Sequence, residues 1–253
     1  MAVPSDKYFE ASIVERRDFS DDLWAVRMKL DGELKFTPGQ YATFGVVENN
    51  KVVERPYSIV SSPYEDTLEF FFELVPNGEL TPRLHKLPKG ATVVMRKAAK
   101  GRFNLDTKSG HKKHFLVSTV TGLAPYVSMT RTGLRDWKDG KFPAGFELYV
   151  LQGASRSWEL GYREEMERAA REAPWLTYVP TISRPWEDKD WKGEVGRCED
   201  VLRKYSDQFN LAPDDTTAYL CGHPEMIEKA KGILQRRGFP KESLLEEQYW
   251  VQK

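Results

Sequence analysis

The chain has 253 residues, 40% of them hydrophobic and 30% charged, with 38 Lys+Arg against 38 Asp+Glu. At roughly 150 residues per domain that makes one or two domains able to bury a core. The zero net charge argues against nucleic acid or an anionic membrane as main partner, since both demand a basic excess.

The two cysteines, Cys198 and Cys221, exclude a disulfide framework, a four-thiolate zinc site and a protein-ligated iron–sulfur cluster. The charge-free stretch from Phe115 to Thr130 is too short to span a bilayer and is broken by Gly122 and Pro125. Met1 to Lys7 carries no apolar signal region. The expectation is a soluble, reduced, cytoplasmic protein.

Along the first hundred residues the pattern has period two. Trp24, Val26, Met28 and Leu30 alternate with Ala25, Arg27 and Lys29, the spacing of a strand buried on one face. Further strands are predicted at Tyr41 to Val47, Pro56 to Val60, Leu68 to Val75 and Ala91 to Arg96. Between them lie Pro38-Gly39, Asn49-Asn50, Ser62-Pro63 and Asn77-Gly78 as turn signals. Short strands at this spacing read as an antiparallel barrel or sandwich. One short helix interrupts it, with Thr81 as predicted N-cap, Pro82 at the first helical position, and Leu84 and Leu87 inward.

After Phe103 the rhythm changes. Apolar runs at Phe115 to Val120, Phe146 to Leu151, Leu176 to Ile182 and Thr217 to Leu220 alternate with helical patterns. Those cover Pro125 to Trp137, Glu159 to Arg171, Glu199 to Tyr205 and Pro224 to Arg237. Alternating strands and helices imply a parallel sheet, with ligands beyond the carboxyl ends of its strands. The expected division is residues 1–104 as an antiparallel β domain and 105–253 as an α/β domain.

Four short segments stand where strand ends and helix starts are expected: Arg55-Pro56-Tyr57-Ser58, Gly78-Glu79-Leu80-Thr81, Thr121-Gly122-Leu123-Ala124-Pro125 and Cys221-Gly222-His223-Pro224. A pyrophosphate needs a cation and aimed N–H donors; Arg55 offers a forked guanidinium and the helix at Thr81 its first N–H groups. Gly78 permits close backbone approach, and Tyr57 offers a flat apolar face. Thr121-Gly122 ends a strand and Ala124-Pro125 opens a helix whose start can hold a second pyrophosphate. Each segment also fits a plain structural turn; their order and spacing together carry the reading.

In that order and spacing the chain resembles the ferredoxin–NADP⁺ reductase family, especially its bacterial flavodoxin/ferredoxin reductases. The resemblance runs from Phe36-Thr37-Pro38-Gly39-Gln40-Tyr41 to Tyr249-Trp250. It implies a Greek-key FAD-binding barrel followed by a nucleotide-binding α/β domain, with Arg55, Pro56, Tyr57, Ser58, Gly78, Leu80 and Thr81 around FAD. By the same resemblance Tyr57 packs on one face of the isoalloxazine, Ser58 lies near its N5, and Tyr249 covers the other face with Trp250 nearer the adenine. A stacked Tyr249 has to move before nicotinamide can reach the flavin.

The resemblance further implies that Thr121, Gly122, Ala124 and Pro125 hold the NADP pyrophosphate. Cys221 would lie beside the hydride-donating carbon, and Glu247, with Glu246 as the alternative, would assist proton movement. Val120 stands where the family has a glycine, and its branched side chain restricts the backbone.

The 2′-phosphate end calls for guanidinium groups, whereas a free ribose calls for a carboxylate. Ser155-Arg156 and Ser183-Arg184 each follow a parallel strand and resemble the family's 2′-phosphate residues, as does the context Glu159-Leu160-Gly161-Tyr162. The family often carries a third arginine after a later glycine; here Lys192-Gly193 is followed by Glu194, with Arg197 close by. NADPH is the expected nucleotide. Cys198 has no motif around it and reads as structural.

The expected activity is thus FAD-dependent electron transfer between NADP(H) and a ferredoxin or flavodoxin, by a monomer. Basic residues at Arg83, Lys86, Lys89, Arg96, Lys97, Lys100 and Arg102 could steer an acidic carrier. Two alternatives stay open: the NAD(P)H-dependent reductase component of an oxygenase, and a flavin-binding regulatory protein with a decayed nucleotide site.

Overall fold

Apolar residues at every second position build the first half of the chain in the computed structural model, which describes residues 6–49 and 51–248. Its strands are β1 (Tyr8–Asp18), β2 (Leu23–Leu30), β3 (Tyr41–Glu48), β4 (Lys51–Ser58), β5 (Leu68–Glu73) and β6 (Thr92–Arg96). They pair antiparallel in the order β4-β3-β6-β1-β2-β5. The two outer strands meet where the chain leaving β4 bridges Ile59 to Phe70, with the Val60 N–H donating to the Glu69 carbonyl at 2.9 Å. That contact closes a barrel, and the insertion of β6 between β3 and β1 gives it a Greek-key path. The core is aromatic: Phe44 packs on Phe70 at 4.6 Å between ring centroids, and Trp24 stacks on Phe72 at 5.2 Å. Each such ring, fully buried, contributes on the order of 2–3 kcal/mol.

The first strand is absent from the sequence reading for a visible reason. Its register with β2 shifts between Ile13 and Glu15, so the bulge at Val14 breaks the alternation. The short helix α1 (Thr81–His85) also departs from expectation. Its N-cap is Leu80, whose side chain is buried in the barrel core, and no side chain caps it. The Thr81 hydroxyl instead accepts the Val75 N–H at 3.0 Å, tying the exit of β5 to the helix. At a single turn, α1 has little of the dipole that an anion site on a longer helix draws upon.

The second half alternates strand and helix. In chain order it comprises β7 (Lys113–Thr119), α2 (Ala124–Lys138), β8 (Glu147–Ala154), α3 (Arg163–Glu172), β9 (Leu176–Ile182), β10 (Glu194–Val195), α4 (Cys198–Gln208), β11 (Thr216–Gly222), α5 (Pro224–Arg236) and β12 (Leu244–Gln248). All neighbours are parallel, in the order β10-β9-β8-β7-β11-β12. Every residue of β11 is buried, as befits a central strand covered on both faces. One face carries Val117, Leu151 and Leu220 against Val201 and Leu202 of α4 and Ile227 of α5.

The helix predicted from Glu159 begins four residues later. Ser157–Glu159 forms a 3-10 turn, and Tyr162 adopts φ +62° in the left-handed region before α3 starts at Arg163. Val120, predicted as a strand end, instead opens a 3-10 turn over Val120–Leu123 with φ +44°. The chain divides into two compact units at Asn104/Leu105. Among the described residues no helix is long and apolar enough to cross a membrane.

Candidate functional site

In the barrel, β4 carries Arg55, Pro56, Tyr57 and Ser58. Arg55 pairs with the Glu79 carboxylate and donates to the Glu54 carbonyl at 2.8 Å. The ion pair joins Arg55 to the loop Gly78-Glu79-Leu80-Thr81, so two segments distant in sequence meet. Arg83 donates to the Glu79 carbonyl and pairs with Glu48 at 2.9 Å. Exposed pairs of this kind are worth about 0.2–1 kcal/mol, so replacing Glu79 by a bound phosphate costs little. Gly78 is crowded by its own turn, since a Cβ there would lie 3.0 Å from the Val75 carbonyl oxygen.

Tyr57 is half-buried. Its ring lies 5.1 Å from Phe44 and 4.9 Å from Phe72, and burial pushes the phenol well above its ordinary pKa. Ser58 is buried at the end of β4, opposite Tyr41 in register. A braced flat ring beside a displaceable guanidinium pair fits a flavin nucleotide.

In the α/β unit, chain order reverses direction between the adjacent strands β7 and β11. This is the switch point where open parallel sheets bind ligands beyond their carboxyl ends. Thr121-Gly122 and Cys221-Gly222 flank it. The Thr119 hydroxyl accepts the His223 N–H at 2.9 Å and joins the two turns. The glycines answer to this close packing: a Cβ on Gly122 would lie 2.3 Å from the Cys221 carbonyl oxygen, and one on Gly222, at φ +125°, 2.3 Å from the Thr119 hydroxyl.

The two helix starts at this edge differ. The start of α5 is capped by His223, whose Nδ1 accepts the Glu225 N–H at 3.2 Å. The start of α2 has no side-chain cap and no acidic residue in its first turn, and Pro125 occupies a position that needs no donor. Ala124 and Pro125 are buried. An uncapped N-terminus of this length fits a pyrophosphate.

Arg156 and Arg184 follow β8 and β9, and the loops holding them continue the strand pairing. The Ser183 N–H donates to Ala154 at 3.0 Å and the Arg184 N–H to Ser155 at 2.9 Å. Both guanidinium groups reach Glu187, Arg156 through Nε at 2.5 Å and Arg184 through Nη1 at 3.7 Å. Glu159 fixes Arg156 from the other side at 2.8 Å while accepting the Ser155 N–H at 2.9 Å. Leu160 and Tyr162 are buried anchors of that turn. Two tryptophans that the sequence reading passed over sit on the same loops, Trp158 at 48% and Trp186 at 68% exposure; unprotected large aromatics beside arginines were the available signal. Next to them a cleft of about 500 Å³ is lined by Ser157, Arg163, Asp188, Asp190, Trp191, Lys192 and Gly193.

Glu194 is engaged elsewhere, by Lys204 and the Tyr205 hydroxyl. Burial opposes its ionisation, but these partners outweigh burial and hold the carboxyl below its ordinary range. The nearer glycine–arginine step is Gly196-Arg197, where the Gly196 N–H donates to Ile182 at 2.9 Å beside Ser183-Arg184. On β12, Glu246 pairs with Lys231 at 2.7 Å, whereas Glu247 lies in register with Cys221. Cys221 and Cys198 are both buried and neither forms a disulfide, and Cys198 donates to the Ser118 carbonyl at 3.2 Å. Tyr249 and Trp250 lie outside the described residues.

Residues 10–105 match the oxidoreductase FAD-binding domain and residues 116–232 the oxidoreductase NAD-binding domain. The chain is 31% identical to ferredoxin–NADP reductase A of Sorangium cellulosum over 92% of its own length and 84% of that protein's. It is 28% identical to the ferredoxin–NADP reductase of Pseudomonas aeruginosa, over 87% and 86% of the two chains. The phenol hydroxylase P5 protein of Acinetobacter pittii is 27% identical over 92% of this chain and 64% of that one. The fold of this chain matches that of a ferredoxin–NADP⁺ reductase from Neisseria gonorrhoeae, solved with FAD and NADP bound, with a TM-score of 0.84 at 22% identity, covering 96% of this chain and 99% of that one. With an antiparallel barrel, a parallel sheet and these relatives spanning both, the chain belongs to the ferredoxin–NADP⁺ reductase family.

Proposed function

We propose that this protein is an FAD-dependent oxidoreductase that passes electrons between NADP(H) and a ferredoxin or flavodoxin, acting as a cytoplasmic monomer. Bound FAD supplies the exchange between two-electron hydride chemistry and one-electron carriers, and the polypeptide supplies binding, orientation and exclusion of water. The observation that carries the reading is the convergence of Arg156 and Arg184 on one carboxylate, at the sheet edge where the uncapped start of α2 also lies.

In this reading Arg55 and the backbone of Gly78, Leu80 and Thr81 hold the flavin pyrophosphate, with Pro56 shaping the strand end. Tyr57 would support one face of the flavin ring, with Ser58 beside it at the end of β4. Thr121, Gly122, Ala124 and Pro125 receive the NADP pyrophosphate. Arg156, Ser183 and Arg184, with Arg197 adjacent, receive the 2′-phosphate, and the adenine stacks on Trp158 or Trp186. Cys221 borders the nicotinamide, and Glu247, on the same face of the sheet, relays a proton.

Exposed Lys86, Lys89, Lys100 and Arg102 offer a basic rim for an acidic carrier, while Arg96 is held by Glu54 at 2.9 Å. Anaerobic mixing of the FAD-loaded protein with NADPH tests the reading: the flavin absorbance bleaches in a single turnover, and added ferredoxin or flavodoxin restores it. No bleaching ends the proposal. The likeness to the phenol hydroxylase P5 protein favours a second reading, a reductase serving an oxygenase. Re-oxidation by an oxygenase component but not by ferredoxin or flavodoxin would select it.

A further inference from the structure

Glu187 occupies an unusual place between Arg156 and Arg184. The 3-10 turn Pro185–Glu187 folds the chain back, with the Glu187 N–H donating to the Arg184 carbonyl at 3.0 Å. Its carboxylate thereby faces both guanidinium groups, hydrogen-bonded to Arg156 and ion-paired with Arg184 Nη1 at the longer distance of 3.7 Å. Neighbouring acids are committed differently. Glu159 accepts the backbone N–H groups of Ser155 and Arg156 at 2.9 and 3.2 Å, and Asp188 accepts the Ser157 N–H at 3.1 Å. Those two carboxylates brace the loops. Among the described residues no backbone N–H reaches the Glu187 carboxylate, which engages only the two guanidinium groups and is about a third exposed.

A phosphate dianion binds such a fork through the same donors that a carboxylate uses, so the two compete for them. We propose that Glu187 is a built-in counter-anion that competes with the 2′-phosphate of NADPH for Arg156 and Arg184, and so sets how strongly NADPH is preferred over NADH. NADPH must eject the carboxylate; NADH, with only a 2′-hydroxyl, leaves it in place and can donate a hydrogen bond to it. This inference rests on the reading that the two arginines receive the 2′-phosphate.

The test is calorimetric titration of the FAD-loaded protein with adenosine 2′,5′-bisphosphate and, separately, adenosine 5′-monophosphate. E187Q keeps the shape and removes the charge; it is expected to tighten the bisphosphate about tenfold, roughly 1.4 kcal/mol, and leave the monophosphate unchanged. E187A should reproduce the effect, and in turnover KM for NADPH should fall while kcat holds. If R156A and R184A weaken the bisphosphate but E187Q changes nothing, or shifts both probes equally, the counter-anion role is overturned while the phosphate site stands. If R156A and R184A leave the bisphosphate affinity untouched, the underlying reading falls and this proposal with it.

Discussion

Cys221 and Glu247 are in-register neighbours on the parallel strands β11 and β12, so their side chains leave the same face of the sheet. Glu246, one residue earlier, turns to the other face and pairs with Lys231 of α5 at 2.7 Å. The sequence offered both acids as proton carriers; the register separates them. E247Q is expected to slow re-oxidation of the reduced flavin by a one-electron carrier about tenfold or more, because that half-reaction has to release the N5 proton and positioned proton transfer typically contributes 10²–10⁴-fold. Hydride transfer from NADPH needs no separate proton and should be little changed. E246Q should leave re-oxidation near wild type. Stopped-flow re-oxidation rates for the two variants check the proposed role, and equal rates would remove Glu247 from the mechanism.

Cys221 itself is fully buried at the C-terminal end of β11. C221A removes one sulfur atom without altering the backbone that Gly122 packs against. Hydride transfer should fall by about tenfold or more, as misplaced reacting groups cost up to about 10²-fold, with FAD retained in full. Released-flavin absorbance and single-turnover kinetics measure the two separately; loss of flavin would make the thiol a packing residue instead.

Val120 holds a β-branched side chain at φ +44° at the start of the Thr121-Gly122 turn. Left-handed backbone costs a residue with a Cβ about 1–2 kcal/mol, partly offset in a glycine variant by the greater entropy of the unfolded chain. V120G is therefore expected to raise stability by about 0.5–1 kcal/mol, and V120A, which keeps the Cβ, by close to nothing. Urea unfolding of the FAD-loaded protein distinguishes them. A destabilised V120G would mean that the contacts of the valine methyls outweigh the strain.

His114 is buried at the N-terminal end of β7, with Nδ1 3.2 Å from the Tyr219 hydroxyl and its ring 4.5 Å from Phe146. Its Nε2 has no hydrogen-bond partner. Burial pushes its pKa down to about 4, against a weaker upward pull from Asp106. Above about pH 6.5 the ring is neutral folded or unfolded, and stability is full. As pH falls from there to about 4, the unfolded chain takes a proton that the folded one refuses, so stability is lost, on the order of 3 kcal/mol in all. H114L should flatten the stability profile between those two pH values; an unchanged slope would show that other groups govern it.

How much was legible depended on whether information was local. Period-two alternation in β2 and the strand–helix rhythm after Phe103 expose a barrel and a parallel sheet because each face needs its own run of apolar residues. The strand β1 was hidden by its bulge, and the start of α3 by Tyr162, because both are set by what lies across from them. The segments around Gly78, Gly122 and Gly222 announced nucleotide binding, yet Gly122 and Gly222 are required by each other's turns, a contact between chain positions a hundred residues apart.

The amino-acid order by itself determined which residue types are on hand: two guanidinium groups after strand ends, a helix start with Pro125, a tyrosine on β4. Only the tertiary structure decided which of them meet. It turned Glu246 and Glu247 to opposite faces, engaged Glu194 with Lys204, and folded Glu187 between Arg156 and Arg184. The physical reason is that charge pairing acts over a few ångströms of space and takes no account of separation along the chain.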